Sequence, residues 1–181
     1  LDDQGNYSFA VDNAAVQYLA AGDAVVQTWT VDSVDGSGTS TITITINGVN
    51  DGAVVTNDAR SVTEDQDLNP VDSVPDTVLS VTGAISVSDD DQGEGAFDPG
   101  TLSFGGRTNS NALDTDTAEL GTLTLLDDQG NYSFAVDNAA VQYLAAGDTV
   151  VQTWTVDSVD GSGTSTITIT INGVNDGAGV T

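Results

Sequence analysis

The sequence predicts an all-β protein, an antiparallel β-sandwich of about seven strands that recurs in tandem, and three observations support this prediction. Apolar and polar residues alternate over short runs, as half-buried strands require. Turn-forming residues separate these runs at the spacing that β-sandwiches show. A long stretch of the sequence also occurs twice, which is typical of a repeat architecture.

Candidate strands follow one another along the longer repeat, in the order VLSVTGAISVS, TLSF, TLTLL, NYSFAV, TVVQTWTV and TSTITITING. The last run places Ile167, Ile169 and Ile171 on one face and threonines on the other. The turn Asp-Asp-Gln-Gly between TLTLL and NYSFAV predicts a hairpin. Trp154, and Trp29 in the other copy, lie in phase with apolar neighbours, so we expect both in a core.

Two segments depart from the strand pattern. AAVQYLAAGD precedes the Trp strand and can form a helical turn. Its Tyr143 either makes a hydrogen-bonded corner of the kind that some β-sandwiches contain or packs as an apolar plug, and the sequence favours neither. DTDTAEL, Asp114 to Leu120, spaces its carboxylates two residues apart, and we expect it to be a solvated loop.

The repeat is nearly perfect. Leu1–Thr56 aligns with Leu126–Thr181 without a gap, and the two copies differ at only two of the 56 positions. We therefore expect residues 1–52 to be the C-terminal part of one repeat, with perhaps four strands, residues 53–178 to be a complete repeat, and residues 179–181 to begin the next. Either an upstream segment or another molecule would supply what the partial repeat lacks, and the sequence favours the first.

The charge of the chain restricts its partners. There are 28 acidic and two basic residues, for a net charge of -26. Nucleic acid and anionic membrane surfaces attract Lys and Arg, so this chain is expected to bind neither. No run approaches the roughly 20 apolar residues of a membrane span. With no Cys or His, any metal ligands must be oxygen atoms, which favour calcium or magnesium.

Catalysis is not expected. The chain has no His, Lys or Cys to activate a nucleophile. Paired carboxylates can hydrolyse glycosides, but the acidic clusters here fall in loops that a metal explains better.

The motifs GTLTL, GNYSF, LAAGD, DGSGT and INGVND occur in order in residues 121–176, and VSDDDQGEGAF precedes them. In this combination the chain resembles the VCBS repeat, a cadherin-like and immunoglobulin-like module of giant bacterial repeat-in-toxin adhesins. The resemblance covers residues 84–178 and again 1–53. It implies an extracellular, type I-secreted extender region at the bacterial surface that depends on calcium. An extra Ser-Val-Asp in TVDSVDGSG departs from the family pattern.

Candidate calcium ligands cluster where repeats should join, in an arrangement that resembles the one between cadherin domains. In a seven-stranded sandwich, the loops after the second and sixth strands lie at the end where the chain joins the domain, here called the upstream end. We expect calcium there between Asn50, Asp51, Asp89, Asp91, Glu94, Asp157 and Asp160. At the opposite, downstream end we expect Glu64, Asp148, Asn175 and Asp176. Asp23 corresponds to Asp148 in the partial repeat and should face the Asn50 junction.

The sequence thus predicts a spacer that calcium stiffens and that projects an adhesive tip, with calcium and neighbouring repeats as its partners. A glycan-binding or protein-binding sandwich is an alternative, as is a repeat that self-associates into an extracellular filament. The near-identity of the two copies suits a spacer as well as multivalent binding.

Overall fold

A computed structural model describes residues 4–66, 77–112 and 114–177. The described residues form eleven strands and three short 3-10 helices. The chain divides into two compact units, the first with residues 1–52 and 89–93, the second with residues 53–88 and 94–181. The predicted start of a further repeat at 179–181 lies outside the described residues. No helix in the described ranges has the length and apolarity that a membrane crossing needs.

The first unit is built on one hairpin. Strands β1 (Ala24–Asp32) and β2 (Thr39–Asn47) pair antiparallel, with Trp29 opposite Ile42. The 3-10 helix Asn13–Ala15 precedes them, capped by the side chain of Asp12. The prediction of perhaps four strands is wrong for the described part of this unit, which contains two. The reason is that the segment NYSFAV at 6–11 forms a strand only when neighbouring strands pair with it, as they do in the second unit.

The second unit contains the remaining nine strands. In chain order they are β3 (Val54–Val55), β4 (Asp58–Thr63), β5 (Val78–Ala84), β6 (Val87–Ser88), β7 (Ser103–Asn109), β8 (Thr122–Leu125), β9 (Asn131–Asp137), β10 (Thr149–Asp157) and β11 (Thr164–Asn172). Short 3-10 helices occupy Pro99–Thr101 and Asn138–Ala140. The predicted hairpin turn joins β8 to β9, and the Asp127 carboxylate accepts hydrogen bonds from the backbone N–H groups of Gln129 and Asn131.

These strands form the predicted β-sandwich. One sheet has the order β4-β11-β10-β7 and the other has the order β5-β9-β8, while β3 and β6 make a small separate pair. All pairings are antiparallel except that of β4 with β11, which is parallel. The seven strands of the two main sheets match the expected number. The parallel pair matters for the site, because it brings the ends of β4 and β11 to the same side of the unit.

The core of the second unit lies between the two sheets. Alternate residues of β9, β10 and β11 point inward, and Ile167, Ile169 and Ile171 are completely buried. Trp154 sits at the centre, with its ring 5.5 Å from that of Phe104 and 5.7 Å from that of Phe134. Burial of such side chains stabilises a fold by roughly 1.5–3 kcal/mol each, so the period-2 pattern of the sequence determines the core.

The expectation that Trp29 lies in a core is wrong. It was expected in a core like its copy Trp154, but 42% of its surface is exposed, against 2% for Trp154. Its contact with Phe9 is retained, with the rings 5.8 Å apart, close to the 5.7 Å of Phe134 and Trp154. The local sequence is the same, so the difference comes from the strands that flank and cover Trp154 in the second unit.

The loop at 114–120 is not simply solvated. Asp114 accepts hydrogen bonds from the Tyr143 hydroxyl, at 2.7 Å, and from Arg107, whose side chain is only 3% exposed. Asn109 also donates to the backbone carbonyls of Asp114 and Asp116. Tyr143 is therefore neither a plug nor a corner bonded to upstream backbone: the residue is 47% exposed, and its hydroxyl joins this polar cluster.

Candidate metal sites

Two carboxylates of the second unit lie close together at its upstream end. Ligand oxygens of Glu94 and Asp160 lie within 4.8 Å of each other, and both residues are half-buried. We call these two residues the upstream acidic group. Two carboxylates about 4 Å apart near a protein surface repel one another by about 4 kcal/mol. A bound cation removes that repulsion, so the group could hold a metal ion.

Tight turns position the members of this group. The Asp160 carboxylate accepts hydrogen bonds from the Ser158 hydroxyl at 2.5 Å and from the Ser162 N–H at 3.2 Å, which fixes it in the turn after β10. Gly161 in that turn has a φ of 75°, a backbone conformation that glycine adopts without strain. The sequence DGSG therefore holds a carboxylate at a defined place.

Within the first unit, Asp91 is bound to the Asn-Asp-Gly motif. The backbone N–H of Asp51 donates to Asp91 Oδ2 at 2.7 Å, and the side chain of Gln17 donates to Asp51 Oδ2 at 3.0 Å. The backbone N–H of Asp91 donates in turn to Asp89 Oδ1 at 2.8 Å. Burial raises the pKa of Asp51, and the nearby carboxylates of Asp91, Asp90 and Asp89 raise it further.

Two oxygens of this loop are the strongest evidence for a ligand. Asp91 is 2% exposed, and its Oδ1 is buried with no hydrogen-bond partner within the described part of the chain. The same is true of Asp89 Oδ2. Burying a charged oxygen without a partner is costly, and native structures avoid it. Hard oxygen donors of this kind, with no nitrogen or sulfur among them, are the ligands that calcium prefers.

Three other residues predicted for the upstream end have different partners. The Asp157 carboxylate accepts the hydroxyl of Thr164 at 2.6 Å. The Asn50 side chain donates to the backbone carbonyl of Asp51 at 2.7 Å. Asp23 is exposed, and its backbone bonds to Ala20 and Gly48.

A second acidic group lies at the downstream end, where β4 and β11 both finish. Glu64 is completely buried there. Its Oε1 accepts the backbone N–H of Val174 at 2.6 Å, and its Oε2 is buried with no hydrogen-bond partner among the described residues. Burial raises the pKa of Glu64, and the negative charges of Asp176 and Asp65 add to this. We call Glu64, Asp65 and Asp176 the downstream acidic group.

Asp65 is the member that the sequence analysis missed. It has a φ of 61°, unusual for a residue other than glycine, and accepts hydrogen bonds from the side chains of Asn138 and Gln142. Those hydrogen bonds lower the pKa of Asp65. Its position directly after Glu64 was the available signal. No set of three carboxylates with ligand atoms within 4.8 Å of one another is found in the downstream group among the described residues.

The two other residues predicted for the downstream end have mainly local contacts. The Asp148 carboxylate accepts hydrogen bonds from Asn111 at 3.0 Å and from the backbone N–H of Ala145 at 3.2 Å, while its backbone carbonyl accepts from Gly173. The Asn175 side chain donates to the carbonyl of Asp176 at 3.3 Å. Asp148 therefore supports the corner before β10.

Comparison with known proteins gives a structural likeness but no family. No protein-family model matches the chain, and no curated protein matches it. Among solved structures, the chain is similar to the extracellular cadherin domains 1–4 of protocadherin gamma B7, with 15% sequence identity and a TM-score of 0.33. The match covers 92% of this chain and 34% of that one, so the chain spans about a third of its length.

Proposed function

We propose that this chain is part of a calcium-stiffened extender region of a large extracellular bacterial adhesin. The observation that carries the proposal is the buried Oε2 of Glu64, which has no hydrogen-bond partner in the described residues and lies near the negative charges of Asp176 and Asp65. The tandem repeat supports a spacer role, because β-domains joined in series form an extended region. The VCBS-like motifs support the extracellular setting.

Calcium would be held in the first unit by Asp89 with Asp91, and in the second unit by Glu94 with Asp160 and by Glu64 with Asp176. When bound, it supplies positive charge that neutralises acids which otherwise repel one another. Extracellular calcium modules bind with Kd values of about 10⁻⁴ to 10⁻³ M. Calcium at about 100 times the Kd stabilises the folded state by about 2.7 kcal/mol per site.

Thermal unfolding in millimolar calcium and in chelator tests the proposal. We expect calcium to raise the Tm of the wild-type chain, and Asp89→Asn to remove much of that rise, because the amide keeps the shape of the side chain but not its charge. Asp90→Asn is the matched control, since it removes the same charge from an exposed neighbour in the same loop. An equal calcium response in both variants, or no response in the wild type, would contradict the proposal.

The extender role has its own test. Small-angle scattering on the wild-type chain should show a larger maximum dimension in calcium than in chelator, because a neutralised junction bends less. A calcium-dependent Tm without any change in dimension would support the metal site but not the stiffening.

A further inference from the structure

A polar cavity lies beside strand β7 in the second unit. Its volume is about 380 Å³, within the range of about 300–1,000 Å³ that small-molecule sites occupy. Arg107, Asp114, Asp116, Leu120 and Tyr143 contribute to its lining. All five residues belong to the second unit, and none of them is a member of either acidic group.

The Arg107 guanidinium is held in place by its neighbours in this cavity. Its side chain is only 3% exposed, its Nε donates to Asn109 Oδ1 at 2.8 Å, and its Nη2 donates to Asp114 and Tyr143. Nη1 donates no hydrogen bond within the described part of the chain, and the nearest Asp116 oxygen is 3.6 Å away. Because buried charged donors are almost always satisfied, we expect an oxygen atom of a ligand or of water at Nη1.

The geometry of Arg107 Nη1 and Asp116 Oδ2 suits a hydroxyl group. The first atom only donates and the second only accepts, whereas a hydroxyl does both. A hydroxyl oxygen about 2.8 Å from each atom would make two hydrogen bonds, which the direct separation of 3.6 Å does not allow. The Asp116 side chain is 63% exposed, and its Oδ1 accepts the backbone N–H of Ala118 at 2.9 Å. Both partners of the hydroxyl are therefore positioned by the protein.

Tyr143 supplies aromatic surface next to these polar groups. The residue is 47% exposed, and its hydroxyl is held by the Asp114 carboxylate at 2.7 Å. Leu120, which is half-buried, adds apolar surface to the same cavity. Tyrosine combines an apolar body with a polar end. Such a wall beside a hydroxyl-binding pair suits a ligand that carries both C–H groups and hydroxyls, as a sugar ring does.

Charge disfavours ionic ligands in this cavity. Arg107 contributes one positive charge, while Asp114 and Asp116 contribute two negative ones. A cation would therefore meet the buried guanidinium, and an anion would meet two carboxylates in a chain with a net charge of -26.

From these observations we propose that the cavity binds a neutral sugar. Arg107 and Asp116 hold one hydroxyl of the sugar, and Tyr143 contacts its ring. The site is separate from the candidate calcium ligands, so sugar binding and calcium binding can each fail without the other.

Titration of the ¹⁵N-labelled full chain with neutral sugars tests this assignment. The chain has two arginines and therefore two Nε–H signals, which Arg60→Lys assigns. The probes are D-glucose, D-galactose, D-mannose and N-acetyl-D-glucosamine at millimolar concentrations, with N-acetylneuraminic acid as an anionic comparison. We expect at least one neutral sugar to shift the Arg107 signal until it saturates, while the Arg60 signal stays unchanged.

Asp116→Ala is the test variant, and Asp98→Ala is its matched control. Each removes an exposed carboxylate whose Oδ1 accepts the backbone N–H two residues further along, but Asp98 caps the 3-10 helix Pro99–Thr101. We expect Asp116→Ala to weaken sugar binding at least about tenfold, as loss of a hydrogen bond to a charged group does, and Asp98→Ala to bind like the wild type. An unchanged indole N–H signal of Trp154 shows that each variant keeps its core.

Each other result overturns the proposal. If no neutral sugar shifts the Arg107 signal, the cavity is not a sugar site. If only N-acetylneuraminic acid shifts it, the cavity selects an anion. If Asp116→Ala and Asp98→Ala bind the sugar equally well, Asp116 does not hold it.

Discussion

Replacing Glu64 by Gln should raise the stability of the chain in chelator and remove most of the stabilisation that calcium gives at this site. The Glu64 carboxylate is completely buried at the end of β4, with one oxygen bonded to the N–H of Val174 and the other without a hydrogen-bond partner among the described residues. Gln keeps the size of the side chain and the oxygen that accepts from Val174. Its amide can also donate toward Asp176 or Asp65, whose charges raise the pKa of Glu64.

The magnitude follows from this environment. An unsatisfied buried polar group costs about 1–3 kcal/mol, and more if it is charged. In chelator, the free energy of unfolding of Glu64→Gln should therefore be higher than that of the wild type by about 1–3 kcal/mol. In calcium at about 100 times the Kd, the wild type should gain about 2.7 kcal/mol, which the neutral variant largely lacks. In calcium, the free energy of unfolding of the wild type should then equal or exceed that of the variant.

Urea unfolding of both chains in calcium and in chelator measures these differences, with Asp90→Asn as the exposed control. A variant that is less stable than the wild type in chelator would refute the argument that the Glu64 carboxylate is unsatisfied. Equal calcium increments in both chains would show that Glu64 does not take part in binding.

Two further predictions concern the second unit without regard to metal. Asp114→Asn should lower the free energy of unfolding by about 3 kcal/mol, because it leaves the buried Arg107 without the nearer of its two charged partners. Asp116→Asn is the control: its carboxylate is exposed and 3.6 Å from Arg107, so its loss should cost under about 1 kcal/mol. The hydrogen bond from Tyr143 lowers the pKa of Asp114 below its usual 3.8. The wild type should thus lose this stabilisation as the pH falls below about 4, whereas Asp114→Asn, which has no carboxylate to protonate, should not. Parallel acid-unfolding curves for the two chains would contradict this. Gly130→Ala should destabilise the fold by about 1–3 kcal/mol, since a Cβ there would lie 2.5 Å from a backbone oxygen. Gly5→Ala has a similar positive φ but no atom within 4 Å, so it should cost only about 1 kcal/mol. Equal costs in thermal unfolding would refute the packing argument.

Local pattern was enough to predict the core of the second unit and its strands from β5 onward, whereas β3 and β4 match none of the candidate runs. The alternation of Ile167, Ile169 and Ile171 with threonine requires that one face of β11 be buried, and the Asp-Asp-Gln-Gly turn determines the β8–β9 hairpin. The failure at Trp29 has a clear physical cause. Burial is a property of the surrounding strands, and the same nine-residue strand pattern lies in a covered sheet in one unit and an exposed one in the other.

The candidate sites were predictable in part for the same reason. Glu94 and Asp160 fall in loops that a sandwich brings to one end, so their proximity follows from topology. Asp114 could not be recognised as part of a buried pair, because its partner Arg107 lies on β7, outside this loop, and nothing in the spacing of DTDTAEL indicates it. Asp65 was missed because its backbone conformation, with a φ of 61°, is not evident from sequence.

Calorimetric titration of calcium into the metal-free chain tests the central claim most directly. The account predicts binding with a Kd of about 10⁻⁴ to 10⁻³ M. It also predicts that Asp89→Asn and Glu64→Gln each remove part of the bound calcium, whereas Asp90→Asn does not. Absence of calcium uptake by the wild-type chain at millimolar concentrations would contradict it.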